Sequence, residues 1–196
     1  MGRVTAEQPA NPPGADPPAR EESQGPPGLD RAVRIGSAED LVEHLAALLV
    51  PATVIVCIGS ELRGDDAAGP AVARELGESV PWQVVDARNA PENFLGKITR
   101  AAPRTVLLID TLNFGAPPGT IAFVEPDSIT GAGPSTHGPA PAAFLEALAL
   151  MHPCRCAVLG IQPQRLDLAA PLSEPVADAV RRIVRAFQRL ARSAGS

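Results

Sequence analysis

Residues Val54 to Pro70 read VIVCIGSELRGDDAAGP. A β-branched run, Val54, Ile55 and Val56, continues through Cys57 and Ile58 and breaks at Gly59. A short polar loop follows, then two adjacent acids, Asp65 and Asp66, then a helical pattern from about Ala67 to Leu76. Pro70 falls in the first turn of that helix, where a missing N–H is tolerated. A continuous apolar run of strand length that hands over to a helix is the unit of a parallel sheet covered on both faces. In open sheets of this kind ligands bind beyond the carboxyl ends of the strands. Fixed negative charge therefore stands at the ligand-binding edge. Adjacent carboxylates at a helix start serve either to accept its free N–H groups or to hold a cation.

On both sides of this stretch, strands alternate with helices. Ser37-Ala38-Glu39-Asp40 forms a capping box with Asp in place of the usual Glu or Gln. It opens a helix with apolar positions Leu41, Val42, Leu45, Leu48 and Leu49, which Pro51 ends. Thr53–Ile58 is the first strand and Trp82–Val85 the second. Asn89 is expected to cap a helix that has Glu92 three residues on and reaches about Arg100. Thr105–Ile109 is a buried strand ending at Asp110. A turn at 116–119, a short strand Thr120–Val124, a loop from Ser128 to Pro139, a helix Ala140–Met151 and a strand Ala157–Ile161 come next. Ser173 caps a long final helix whose Val176, Val180, Ile183, Val184, Phe187 and Leu190 form one apolar stripe. This pattern predicts an α/β fold: a three-layer α/β/α sandwich on a mostly parallel, twisted sheet of about five strands.

The chain has 196 residues, enough for one such domain with a real core. With no Tyr, one Trp and five Phe, that core must be aliphatic. A net charge of −5 argues against a nucleic-acid partner. Three cysteines without a disulfide-like spacing point to a reducing compartment. No apolar run reaches the roughly 18 to 20 residues of a membrane span, and no signal-like apolar segment opens the chain, so a cytoplasmic location is expected. Residues 1–29 are rich in Pro, Gly and Ala and read as a disordered tail, leaving 30–196 as a single domain.

Three polar groups stand after apolar strands or in a loop: Asp66, Asp110 and His137. The first two follow strands that open on the same edge, so they can meet although far apart in sequence. His137 lies in GAGPSTHGPAP, a loop able to fold back over that edge. Two carboxylates and an imidazole suit a borderline divalent metal with open positions; an Asp at a strand end also serves simply as a loop anchor. Asp65 reads as a cap or supporting group. Glu92 caps its own helix while lining the cleft. Gln162 reaches the cleft or steadies a turn, and Asn93 and Arg63 are weaker substrate contacts. A competing metal cluster, His152-Pro153-Cys154-Arg155-Cys156, has close spacing. Against it, a His at a helix end commonly bonds the last carbonyls, and Cys entering a buried strand behaves as a small hydrophobe. His44 reads as part of a solvated helix face. A Ser–His–Asp triad would need Ser60 or Ser135 beside His137, and no nucleophile elbow surrounds either serine.

These residues carry a resemblance. Cys57-Ile58-Gly59-Ser60, Gly64-Asp65-Asp66-Ala67-Ala68-Gly69-Pro70, Ala90-Pro91-Glu92-Asn93, Leu108-Ile109-Asp110, Pro117-Pro118-Gly119-Thr120-Ile121, Thr136-His137, Gly160-Ile161-Gln162-Pro163 and Leu172-Ser173 occur in this order over about residues 54–190. Together they resemble the hydrogenase maturation endopeptidases, above all the formate-hydrogenlyase type, which trim the large subunit of nickel–iron hydrogenases. Ser60 departs from the family's usual Asn. The resemblance implies a cytoplasmic protease that removes a short C-terminal extension from a nickel-loaded large-subunit precursor; a protease acting on one chain end needs no partner copy, so a monomer is expected. It implies Asp66, Asp110 and His137 as metal contacts and catalytic groups. Glu92 and Gln162 are then the substrate-binding candidates. The metal is the substrate's own nickel, used for recognition, or another divalent cation whose bound water attacks the peptide. Two rival classes remain: a non-cleaving chaperone that recognises the nickel centre, and a small-molecule hydrolase with an enclosed pocket beside Asp66.

Overall fold

The computed structural model describes residues 32–129 and 140–194. The Pro-rich segment through Leu29 and the loop that carries His137 lie outside these residues. The apolar run forms strand β2, Thr53–Ile58, buried at every position. It pairs in parallel with β3, Gln83–Arg88, on one side and with β4, Thr105–Thr111, on the other. β4 pairs in parallel with β6, Arg155–Ile161. β5, Ile121–Val124, runs antiparallel to β6, and a two-residue β1, Val33–Arg34, runs antiparallel to β5. The sheet order is β1-β5-β6-β4-β2-β3.

Alternate residues of each strand feed two separate cores. Ile55, Cys57, Leu107, Ile109, Leu159 and Ile161 pack against α1 (Ala38–Leu48), α2 (Ala68–Leu76) and α5 (Glu174–Ala194). Val54, Val56, Ile58, Val106, Leu108 and Val158 face α3 (Leu95–Arg100) and α4 (Ala140–Met151). A strand whose two faces are both covered reads as a continuous apolar run, and β2 and β4 do. Each fully buried Leu, Ile or Val contributes about 1.5–3 kcal/mol relative to exposure. The α5 stripe is buried from Val176 to Phe187, with Leu190 partly buried at its end, and Phe187 meets Trp82 edge-on at 6.1 Å between ring centroids. Among the described residues, no helix is long and apolar enough to cross a membrane.

The Ser37 capping box is present in both directions. Ser37 Oγ accepts from Asp40 N at 3.0 Å, and Asp40 Oδ2 accepts from Ser37 N at 3.0 Å. The expected box at Asn89 and Glu92 is not formed. Arg88 has φ +51, so the chain turns one residue earlier. A 3₁₀ turn, Pro91–Phe94, then starts from Ala90 without a side-chain cap and leads into α3. The first acidic helix is likewise split, into a 3₁₀ turn Gly64–Ala67 and α2. The sheet has six strands where about five were expected; the sixth is β1, too short for any periodic signal.

Candidate active site

β2 connects through α2 to β3 on one flank, and β3 connects through α3 to β4 on the other. The two helices lie on opposite faces. The sheet order therefore reverses between β2 and β4, which opens a crevice beyond their carboxyl ends. Asp66 follows β2 and Asp110 is the penultimate residue of β4. Both are about 1 % exposed.

Backbone geometry holds the two acids at this place. Gly59 ends β2 with φ +148, and a Cβ there would run into the carbonyl oxygen of Asp66. Glycine lets the loop close, and Ser60 N donates to Asp66 O at 3.1 Å. Gly59 N donates in turn to Arg88 O at 2.9 Å, which ties the loop to β3. Across the crevice, Thr111 Oγ1 donates to Asp65 O at 3.0 Å, and Thr111 N donates to Asp110 Oδ1 at 2.7 Å. One hydroxyl thus joins the peptide before Asp66 to the residue after Asp110. Two carboxylates brought out of water at a crevice suit a hard or borderline divalent cation, because a buried anion needs a compensating charge or donors.

Asp65 has a different task. Its Oδ2 accepts from Gln164 N at 2.7 Å, Arg165 N at 2.9 Å and Ser173 Oγ at 2.9 Å, and its Oδ1 accepts from Ser173 N at 2.6 Å. The carboxylate fastens the loop after β6 and sits at the start of α5, where the helix dipole favours a negative charge. Ser173 precedes α5 as expected, with its hydroxyl donating to Asp65.

Gln162 is 6 % exposed. Its Oε1 accepts from Phe114 N at 2.8 Å and Ala116 N at 3.3 Å, and its Nε2 donates to Asn113 Oδ1 at 3.1 Å and Pro163 O at 3.3 Å. The amide is occupied in shaping the loop after β4, which is the turn-steadying role. Glu92 and Asn93 are exposed on the 3₁₀ turn after β3, and Arg63 is exposed in the first loop. His137 lies outside the described residues. Among the described residues, no group of three or more His, Cys, Asp or Glu is placed to hold a metal.

The second cluster is taken apart by its surroundings. His152 Nε2 lies 2.9 Å from Pro103 O, and His152 N donates to Leu148 O. Burial pushes the Cys156 thiol up to about 12, with Cys154 beside it adding to the effect, and raises Cys154 as well. Cys57 is fully buried and its thiol is raised further by the same cause. His44 is stacked on Phe123 at 5.4 Å, with Nδ1 2.8 Å from Asp40 O, so it packs rather than standing in solvent. Thr111 was not found by reading the sequence, and Asp65 was read as a cap or supporting group without its distant partners. An apolar strand that ends in Asp-Thr was the only local sign of Thr111.

A family model described as hydrogenase maturation protease matches residues 70–189. The hydrogenase 3 maturation protease of Escherichia coli K12 is 32 % identical over 139 residues, covering 70 % of this chain and 87 % of that protein. A solution structure of the endopeptidase HycI from Escherichia coli superposes with a TM-score of 0.63 at 29 % identity, over 70 % of this chain and 89 % of that one. A crystal structure of a [NiFe] hydrogenase maturation protease HycI from Thermococcus kodakarensis gives 0.69 at 26 % identity, over 78 % and 98 %. A matched model across most of the ordered sheet, and the same layers in solved relatives, agree with the order of motifs around the crevice: this chain belongs to the hydrogenase maturation protease family.

Proposed function

We propose that this protease is an endopeptidase that trims the C-terminal extension of a nickel–iron hydrogenase large-subunit precursor, acting in the cytoplasm as a monomer. The observation that carries this reading is the pair of buried carboxylates, Asp66 and Asp110, at the switch point between β2 and β4 of a chain in this family. The nickel is taken as part of the substrate. Asp66, Asp110 and His137 are the residues proposed to meet it, which makes cleavage conditional on a loaded precursor. Those residues would hold the cation, which would supply polarisation of a bound carbonyl or water. The chain's own residues supply position. Gly59 and Ser60 fix Asp66 through its carbonyl, and Thr111 fixes the approach of the two strand ends. Glu92 stands exposed on the turn after β3, where it can contact the precursor.

The test is incubation of the nickel-loaded precursor with the full chain, read by the precursor's loss of mass and by the released peptide. Cleavage of the loaded form and not of the metal-free form is expected. Tight binding with no change in mass would instead favour a chaperone.

A further inference from the structure

The rim of the same crevice carries an apolar feature that the proposed ligands do not use. The large apolar side chains exposed among the described residues are Val33, Leu62, Leu150, Met151 and Leu168. Val33 lies on the edge strand β1, and Leu150 and Met151 close α4 before β6 begins, so they belong to other parts of the surface. Leu62 and Leu168 sit on the loops that follow β2 and β6, at the carboxyl edge. They are 67 % and 78 % exposed.

These two loops are joined at this place. Ala169 N donates to Leu62 O at 2.8 Å, and Ala169 has φ +59, a left-handed conformation that alanine rarely adopts. Asp65 clamps the second loop through Gln164, Arg165 and Ser173. Asp65 N also donates to Arg165 O at 3.0 Å, and Gly64, with φ +56, allows that approach. A Cβ on Gly64 would stand only 2.9 Å from Arg165 O. A loop free to move can fold its leucines away from water. A loop fixed at several backbone points, with strain at the residue beside Leu168, holds them out. Two exposed leucines on loops tied to each other, beside a reaction site, are what a partner covers.

We infer that Leu62 and Leu168 form a docking ridge on which the protease seats its protein substrate, with an apolar stretch of the precursor beside the scissile bond lying across them. This rests on the protease reading above. The ridge is continuous with the crevice, because Leu62 belongs to the same loop that ends at Asp66. A second copy of this chain seated on it would cover the crevice and shut the substrate out.

The experiment compares the full-length parent with Leu62→Glu/Leu168→Glu, and with Leu150→Glu/Met151→Glu as a control, on the nickel-loaded precursor. The ridge variant is expected to raise KM at least about tenfold while kcat stays within about twofold, since ground-state and transition-state binding are lost together. The control keeps the parent's values. Thermal unfolding of each variant is measured alongside. If the double variant unfolds, Leu168→Ser alone carries the same KM readout. A parental KM in the ridge variant overturns the docking ridge and leaves the protease reading standing. Failure of the parent to process the precursor overturns both. A parent dimer that the ridge variant splits, by sedimentation, assigns the ridge to contact between copies and also overturns it.

Discussion

The two ends of the sheet offer similar sets of potential ligands and use them differently. At the carboxyl end stand Asp65, Asp66 and Asp110; at the amino end stand His152, Cys154 and Cys156. The amino-end groups are occupied or neutral. His152 lies against Pro103 O, and burial holds Cys156 as a thiol with its pKa pushed up to about 12. A thiol becomes a metal ligand only as the thiolate. At the carboxyl end the order of strands reverses between β2 and β4, and a backbone hydrogen bond from Ser60 N to Asp66 O and one from the Thr111 hydroxyl to Asp65 O hold the loop with the acids at that crevice. Close spacing along the chain made the amino-end cluster a competitor. Topology favours the carboxyl end, because a crevice needs diverging connections and the amino end has none of them between these strands.

The strongest way to break this contrast is to remove candidate ligands at each end. Asp66→Asn or Asp110→Asn keeps the side-chain shape and removes the charge. Processing of the loaded precursor is expected to fall on the order of 10³-fold or more, with the thermal midpoint held to within about 4 °C. Cys154→Ala with Cys156→Ala is expected to leave the processing rate unchanged. A large loss in the cysteine variant, or parental rates in both acid variants, would reverse the assignment of the two ends.

The next test sharpens the contrast within the carboxyl end itself, between neighbours. Asp65 accepts four hydrogen bonds that hold the loop after β6 and the start of α5, whereas Asp66 follows β2 at the crevice and is held through its backbone carbonyl, which accepts from Ser60 N. Asp65→Ala leaves the N–H groups of Gln164, Arg165 and Ser173 without this acceptor. A loss of about 3 kcal/mol is expected, since hydrogen bonds to charged groups are the stronger kind and buried donors are costly to strand. That corresponds to a midpoint lower by roughly 6–12 °C in a chain of this size. A stability loss smaller than that of Asp66→Asn would show that the roles of the two acids had been exchanged.

What the sequence made legible follows from the range of the interactions. β2 appears over the same residues that the apolar run marks, and the Ser37 cap closes as its four-residue pattern predicts. Both are local. The cap at Asn89 fails for an equally local reason that the residue types do not disclose: Arg88 takes a left-handed turn without being glycine. β1 is two residues long and exists because β5 offers it an edge. The Asp65 hub joins groups about a hundred residues apart, and Gln162 finds its partners in the loop after β4. No periodicity encodes such pairings. The positions of Asp66 and Asp110 were legible because the carboxyl ends of parallel strands share one edge by construction.

A smaller effect tests whether the rim of the crevice is under strain. Ala169→Gly relieves the left-handed backbone beside Leu168 at some cost in unfolded-chain entropy. The net expectation is a gain of about 0.5–1 kcal/mol, seen as a rise of roughly 1–4 °C in the thermal midpoint. A fall would mean that the loop depends on the alanine methyl more than on its backbone.

The smallest effect belongs to the amino end and depends on pH. Burial raises the Cys156 pKa from its ordinary value of 9.0 to about 12 in the folded chain. Below pH 9 the thiol keeps its proton in both states, and its contribution to stability is complete. Above that, the unfolded chain ionises first, so stability is lost progressively as pH rises toward 12. Cys156→Val removes this linkage and places an apolar residue of good strand propensity in β6. Denaturant titrations at pH 8 and pH 10.5 should therefore show the parent losing more stability than the variant on raising the pH. The difference is a few tenths of a kcal/mol to about 1 kcal/mol, because the site is only partly buried and solvent screens it. Equal losses would mean that the thiol titrates alike in both states, and a smaller loss in the parent than in the variant would mean a thiolate in the folded chain, which would reopen the amino end as a metal site.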